Sequence, residues 1–259
     1  MIRTLACLTA LQLAACAATI SDKDRAGAKI RYDIAVNAME HGDLRAALRD
    51  LLGAVEADPE LVQAHNALGL VYHAMGRQED ALTHYREAVR LAPKFSEVQN
   101  NMGVLLLDLG RYDDAILAFK VALSDILYAT PFIAEGNMGW AFYKKGDATQ
   151  GLKHLRNAVA TNPKFCRGYG WLAQIELELN DAAQAVAYAK RFEKHCLEDA
   201  AIAATVPGTF AREMKYYLGR GYQTLGDVES SRQAFAACAT DDAESDVEAK
   251  CARGLSELR

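Results

Sequence analysis

Small residues return in this chain at an interval of 34 positions, and a period of that length leaves few folds open. The clearest unit covers residues 62–95 and carries Leu68-Gly69, Tyr72, Gly76, Ala81, Tyr85, Ala88 and Pro93. From Ser96 the same places hold Met102-Gly103, Leu106, Gly110, Ala115, Phe119 and Ala122. From Phe132 they hold Met138-Gly139, Phe142, Gly146, Leu155, Ala158 and Pro163. Two antiparallel helices approach closely only where one offers a small side chain, as Gly69, Ala81 and Ala88 do. Leu68, Tyr72 and Tyr85 fill the space between helices and against the next pair. Gly76 falls between paired helices, where a left-handed cap is needed. Pro93 ends the second helix because it cannot continue the backbone ladder. With 51% apolar residues and five prolines in 259, the composition fits a packed helical array rather than disorder.

The outer units are weaker. The first, from Ala28, keeps Gly42, Ala47, Leu51, Ala54 and Pro59, with Ala35 at the close-contact glycine position. The fifth, from Cys166, has Tyr169, Leu172, Ala173 and Ala185, with Asn180 at the turn. A segment containing Val206-Pro207-Gly208 then intervenes, a turn signal. The sixth, from about Arg212, recovers Leu218-Gly219, Tyr222, Gly226 and Phe235, and residues 245–258 read as a capping helix. These positions resemble the tetratricopeptide repeat (TPR). The resemblance implies an all-α solenoid, a right-handed superhelix of about six helical hairpins with a C-terminal cap. The unit boundaries are 28–61, 62–95, 96–131, 132–165, 166–197 and 212–244, with the cap at 245–258, and one hairpin domain spans 28–259. A single hairpin cannot bury its apolar faces, so stability comes from stacking.

The first residues differ. Arg3 supplies a positive start, and residues 5–15 form an apolar run broken only by Thr9 and Gln12. That run is too short to cross a bilayer and reads as the core of a signal peptide, residues 1–15. It ends in Leu13-Ala14-Ala15-Cys16, which resembles a bacterial lipobox. The resemblance implies that Cys16 carries a diacylglycerol on its sulfur and a further acyl chain, such as palmitate, on its amine. Several chains anchor stably where one does not. Residues 16–27 are then expected to form the lipidated cysteine and a flexible tether, whose last eleven residues reach roughly 35–40 Å when extended. Ala17 follows the cysteine, and similarity to Gram-negative lipoproteins implies delivery to the outer membrane, on its periplasmic face.

Of six cysteines, Cys7 falls in the leader and Cys16 takes the lipid, which leaves Cys166, Cys196, Cys238 and Cys251. An even number in an exported protein suggests two disulfides, with three connectivities possible on counting alone. Repeat geometry selects among them. Cys166 begins the first helix of unit five and Cys196 ends its second, and those ends meet in an antiparallel hairpin. Cys238 lies late in unit six and Cys251 in the cap behind it. The expected pairs are Cys166–Cys196 and Cys238–Cys251.

Residues 98–165 carry more than the general pattern. They read Asn100-Asn101-Met102-Gly103, Gly110-Arg111-Tyr112-Asp113-Asp114-Ala115, and then Asp125-Ile126-Leu127-Tyr128-Ala129-Thr130-Pro131 before Asn137-Met138-Gly139. The Leu-Tyr linker before proline, two residues longer than the period, resembles type IV pilus biogenesis lipoproteins of the PilF/PilW/Tgl kind over roughly residues 28–196. That resemblance implies an outer-membrane pilotin. It would bind subunits of the pilus secretin and promote their membrane insertion and multimerisation, hence pilus assembly and twitching motility. The alternative is a lipoprotein scaffold for cell-wall hydrolases or other envelope-assembly proteins.

Chemistry-bearing motifs are missing from the sequence. There is no HExxH, CxxC, Walker loop or Gly-x-Ser-x-Gly, so no enzyme, cofactor, metal site or small-molecule substrate is expected. A net charge of −5 with no basic block offers no nucleic-acid footprint. The expected site is the concave face, lined by positions 2, 5, 9, 12 and 13 of each first helix. In units two to four this gives Asn66, Leu70 and His73; Asn100, Val104 and Leu107; and Trp140 and Tyr143. Aromatic and aliphatic side chains beside amides suit an amphipathic helix or extended peptide. Trp140 is expected to point away from the neighbouring hairpin.

Overall fold

The computed structural model of the protein describes residues 20–239 and 245–258. Among these every regular element is helical. Five hairpins follow in order: α1 (Asp22–Glu40) with α2 (Leu44–Ala57), α3 (Val62–Ala74) with α4 (Gln78–Leu91), α5 (Ser96–Asp108) with α6 (Tyr112–Leu123), α7 (Pro131–Lys144) with α8 (Ala148–Thr161), and α9 (Cys166–Glu178) with α10 (Ala182–Phe192). A π-helical turn, Glu193–Leu197, extends α10. Short α11 (Ala200–Ala203) leads into the sixth pair, α12 (Gly208–Thr224) and α13 (Val228–Ala236), and α14 (Asp246–Glu257) closes the stack. Each second helix packs on its own first helix and on the first helix of the next pair, so the core follows the array as a series of clusters.

One backbone device makes every hairpin. Gly42, Gly76, Gly110, Gly146 and Gly226 all have φ between 71° and 101°, and Asn180 takes the same place at φ 62°. These residues turn the chain in the left-handed region that side chains other than Asn or Asp avoid. The next helix is then capped in one of two ways. Asp43, Asp147, Asp181 and Asp227 accept a backbone N–H three residues on. Arg77 and Arg111 cannot, and instead donate to Asp80 and Asp114 in the first turn.

Three boundaries shift from expectation. The tether reading fails for residues 22–27, which form the start of α1. Ser21 and Asp24 make a reciprocal capping box there, with Asp replacing the usual Glu, and the helix needs no apolar stripe that early because nothing packs before it. Helix α12 begins at Gly208, directly after Pro207, rather than near Arg212. Cys238 lies just beyond the end of α13 rather than within it. Residues 1–15, Cys16 and the start of the tether lie outside the described residues. Among the described residues no helix is long and apolar enough to cross a membrane.

The four C-terminal cysteines are joined as Cys166–Cys196 and Cys238–Cys251, each with Cα atoms 5.9 Å apart. The first closes the fifth hairpin at its open end. The second ties α14 to the sixth. Each contributes about 2–4 kcal/mol by restricting the unfolded chain.

Candidate partner-binding groove

The inner faces of the first helices carry the groove, and neighbouring helices are stitched across it. Asn101 donates to the Asn66 amide oxygen at 3.1 Å, and Asn137 donates to Asn100 at 3.1 Å. Asn100 is therefore buried and committed to its neighbour, because an amide removed from water must find a partner. His73 is paired with Asp108 of the next first helix at 2.9 Å. Leu70 packs against the N-terminal core, and Val104 and Leu107 against the middle one, each half-buried.

Trp140 departs from its expected direction. Its ring stacks on Trp171 of the following hairpin, centroids 5.2 Å apart and planes within 10°, with Tyr143 against its other side at 4.9 Å. Two indoles that cover each other bury more apolar area than either would against water. The Tyr143 hydroxyl donates to Glu178, and burial together with that bond pushes its phenol up to about 12. Of the eight residues named from the pattern, Trp140 alone borders either of two neighbouring cavities, and it borders the smaller.

Those cavities lie further along, in units five and six. One, of about 680 Å³, opens between α9, α12 and α14 and is walled by Leu177, Phe210, Tyr216 and Tyr217. The other, of about 580 Å³, lies between α9, the α11 segment and α12, with Trp140, Trp171 and Val206 among its walls. They share Gln174, Thr209, Phe210, Glu213 and Tyr217, so the two adjoin along these side chains and form one groove region. Tyr217 donates to Glu213 at 2.7 Å, and burial drives its phenol well above the ordinary tyrosine range. The signal for this region was present in the sequence. Positions 9, 12 and 13 of unit five are Gln174, Leu177 and Glu178, and positions 2 and 5 of unit six are Glu213 and Tyr216. Phe210 and Trp171 fall outside the rule, because the α11 segment folds a wall onto the groove that a regular repeat lacks.

Among the described residues no group of three or more His, Cys, Asp or Glu is arranged to hold a metal ion. The lining mixes aromatic rings with amides, hydroxyls and carboxylates, a combination suited to a polypeptide segment.

The tetratricopeptide-repeat profile matches residues 32–94, 74–131 and 137–195, more than half of the chain. No curated protein sequence matches it. The fold resembles that of PilW, described as a widely conserved type IV pilus biogenesis factor, with a TM-score of 0.75 and 22% identity. That match covers 86% of this chain and 96% of PilW's. PilF of Pseudomonas aeruginosa gives 0.74 and 17%, covering 89% and 99%. The Cut9–Hcn1 assembly of the APC/C gives 0.71 and 13%, covering 92% of this chain but 43% of that one. At these identities the likeness is one of fold.

Proposed function

The chain belongs to the tetratricopeptide-repeat family, and from that premise we propose that it is a type IV pilus assembly factor, a pilotin held at the outer membrane by lipid on Cys16. It binds subunits of the secretin in its concave groove and promotes their insertion and multimerisation. Lipid and groove divide the work. The anchor confines the protein to one surface, and confinement raises the local concentration of whatever the groove holds.

The observation that carries the reading is correspondence over nearly the whole length of PilW, a type IV pilus biogenesis factor, and of PilF, where the Cut9–Hcn1 likeness takes in less than half of its chain. The junction between units three and four adds to it. Asp125 accepts from Ser96 and from the Leu127 backbone, and Tyr128 is buried, so the loop is built rather than loose. Ile126 and Leu127 stand out from it at 96% and 85% exposure, a pair of apolar side chains available to a partner.

The test is genetic and biochemical. Deleting the gene should leave secretin as monomers on semi-denaturing gels, and Trp140→Ala combined with Leu107→Ala should reduce multimers several-fold. Normal multimers in the deletion strain would refute the proposal. Co-purification from detergent extracts separates it from the scaffold alternative: secretin supports the pilotin, cell-wall hydrolases without secretin the scaffold.

A further inference from the structure

The two cavities of the C-terminal groove meet at Glu213, and the charges around that point are unevenly satisfied. Asp246 is bonded to Lys250 at 2.5 Å, Glu257 to Arg220 at 3.3 Å, and Glu193 to Lys215. Glu213 and Glu178, both facing the larger cavity, have no cation within ion-pair distance among the described residues. Among the described residues Glu213 accepts only the Tyr217 hydroxyl. Glu178 accepts Tyr143 and the Gln174 amide. Around these carboxylates stand the rings of Phe210, Tyr216 and Tyr217.

Glu213 is half-buried, so it draws a positive charge more strongly than a carboxylate in open water, while Glu178 is exposed; the lining around them mixes aromatic rings with polar groups, Arg220 and Lys250 included. Aromatic faces add their own attraction for a cation. An acidic ligand would meet two carboxylates and gain neither. Lys250 senses Glu213 but is engaged by Asp246. The groove is also too long for a small ammonium ion, since it continues past Phe210 to the Trp140–Trp171 stack.

We infer that the C-terminal groove takes a lysine or arginine of a partner polypeptide between Glu213 and Glu178, with the partner's neighbouring apolar residue seated toward Trp171. This rests on the reading of the molecule as a peptide-binding solenoid and names the chemistry that the groove selects. Each disulfide holds one end: Cys166 borders the smaller cavity, and Cys238–Cys251 fixes α14, which walls the larger.

Fluorescence anisotropy with short labelled peptides tests it directly. The peptides share leucine and phenylalanine anchors and differ at one central residue: lysine, arginine, glutamine or glutamate. The basic peptides should bind about tenfold tighter than the glutamine peptide, a difference near 1.4 kcal/mol. The glutamate peptide should bind weakest, and the preference should shrink with salt. Glu178→Gln with Glu213→Gln should abolish the preference, and a helical circular dichroism spectrum and melting midpoint close to those of wild type show that the variant is folded. Lys250→Met, made separately, should strengthen the basic peptides. Equal affinity across the set, no binding by any peptide, or a preference that survives the double variant would overturn the inference. Secretin captured equally by wild type and double variant would defeat this inference and spare the proposed function. A charge preference with no secretin captured by wild type would do the reverse.

Discussion

Gly69 and Tyr85 are one decision made twice. A Cβ at Gly69 would sit 2.4 Å from the Tyr85 ring, and the same pairing recurs as Gly103 with Phe119 and Gly219 with Phe235, each at 2.6 Å. Unit one solves the crossing differently, with Ala35 against Leu51, both fully buried. Gly69→Ala should therefore cost about 1–3 kcal/mol by overpacking. Adding Tyr85→Leu should return much of that loss, a coupling visible in a double-mutant cycle by urea denaturation. A second residue-scale effect concerns protons. His84 lies against His65 at 3.1 Å and stacks on Tyr72. Burial first, and then His65, holds its pKa below the ordinary histidine value, with Asp80 and Glu87 opposing. The folded protein thus takes that proton later than the unfolded chain does. The stability contributed by neutral His84 is whole above about pH 6.5 and is lost as pH falls through its lower folded value. Denaturation midpoints compared at roughly pH 7.5 and roughly pH 5.5 should show a drop that His84→Gln reduces.

At the scale of elements, α14 is the piece most dependent on a single bond. Its core contact is small, centred on Cys251, with Gly254 against Phe235, and Cys238–Cys251 fastens it. Replacing both cysteines with alanine should cost about 2–4 kcal/mol. Limited proteolysis should then cut before α14 while units one to four stay protected. The hairpins were legible because their punctuation is local: a left-handed residue at the turn and a small residue at the crossing both have to appear in the sequence. The start of α1 was not, since Ser21 and Asp24 cap it without any apolar periodicity to announce a helix. The groove was half legible. Counting positions along a unit found Trp140, but not which neighbour its ring would cover, because Trp171 belongs to the next hairpin and stacking is decided between units. Asn100 misled for the same reason: an amide at a groove position can be spent on the adjacent helix.

For the whole molecule, stability is close to a sum of units and the interfaces between them. A chain ended before Gly208 should keep helical circular dichroism for units one to five and unfold at lower denaturant, because the face of α10 that α12 covers becomes solvent-exposed. It should also lose selectivity for basic peptides, since Glu213 and Tyr217 go with the removed part.

From unit two to unit five each joint between first helices carries a side-chain hydrogen bond, and this governs how the arc holds its shape. Amide bridges from Asn66 to Asn101 and from Asn100 to Asn137 are directional and weaken when the helices slide or rotate. Where unit four meets unit five, the Tyr143 hydroxyl bonded to Glu178 does the same beside the stacked indoles of Trp140 and Trp171. From unit two to unit five the arc is therefore pinned in register, so a bound chain meets side chains at a preset spacing.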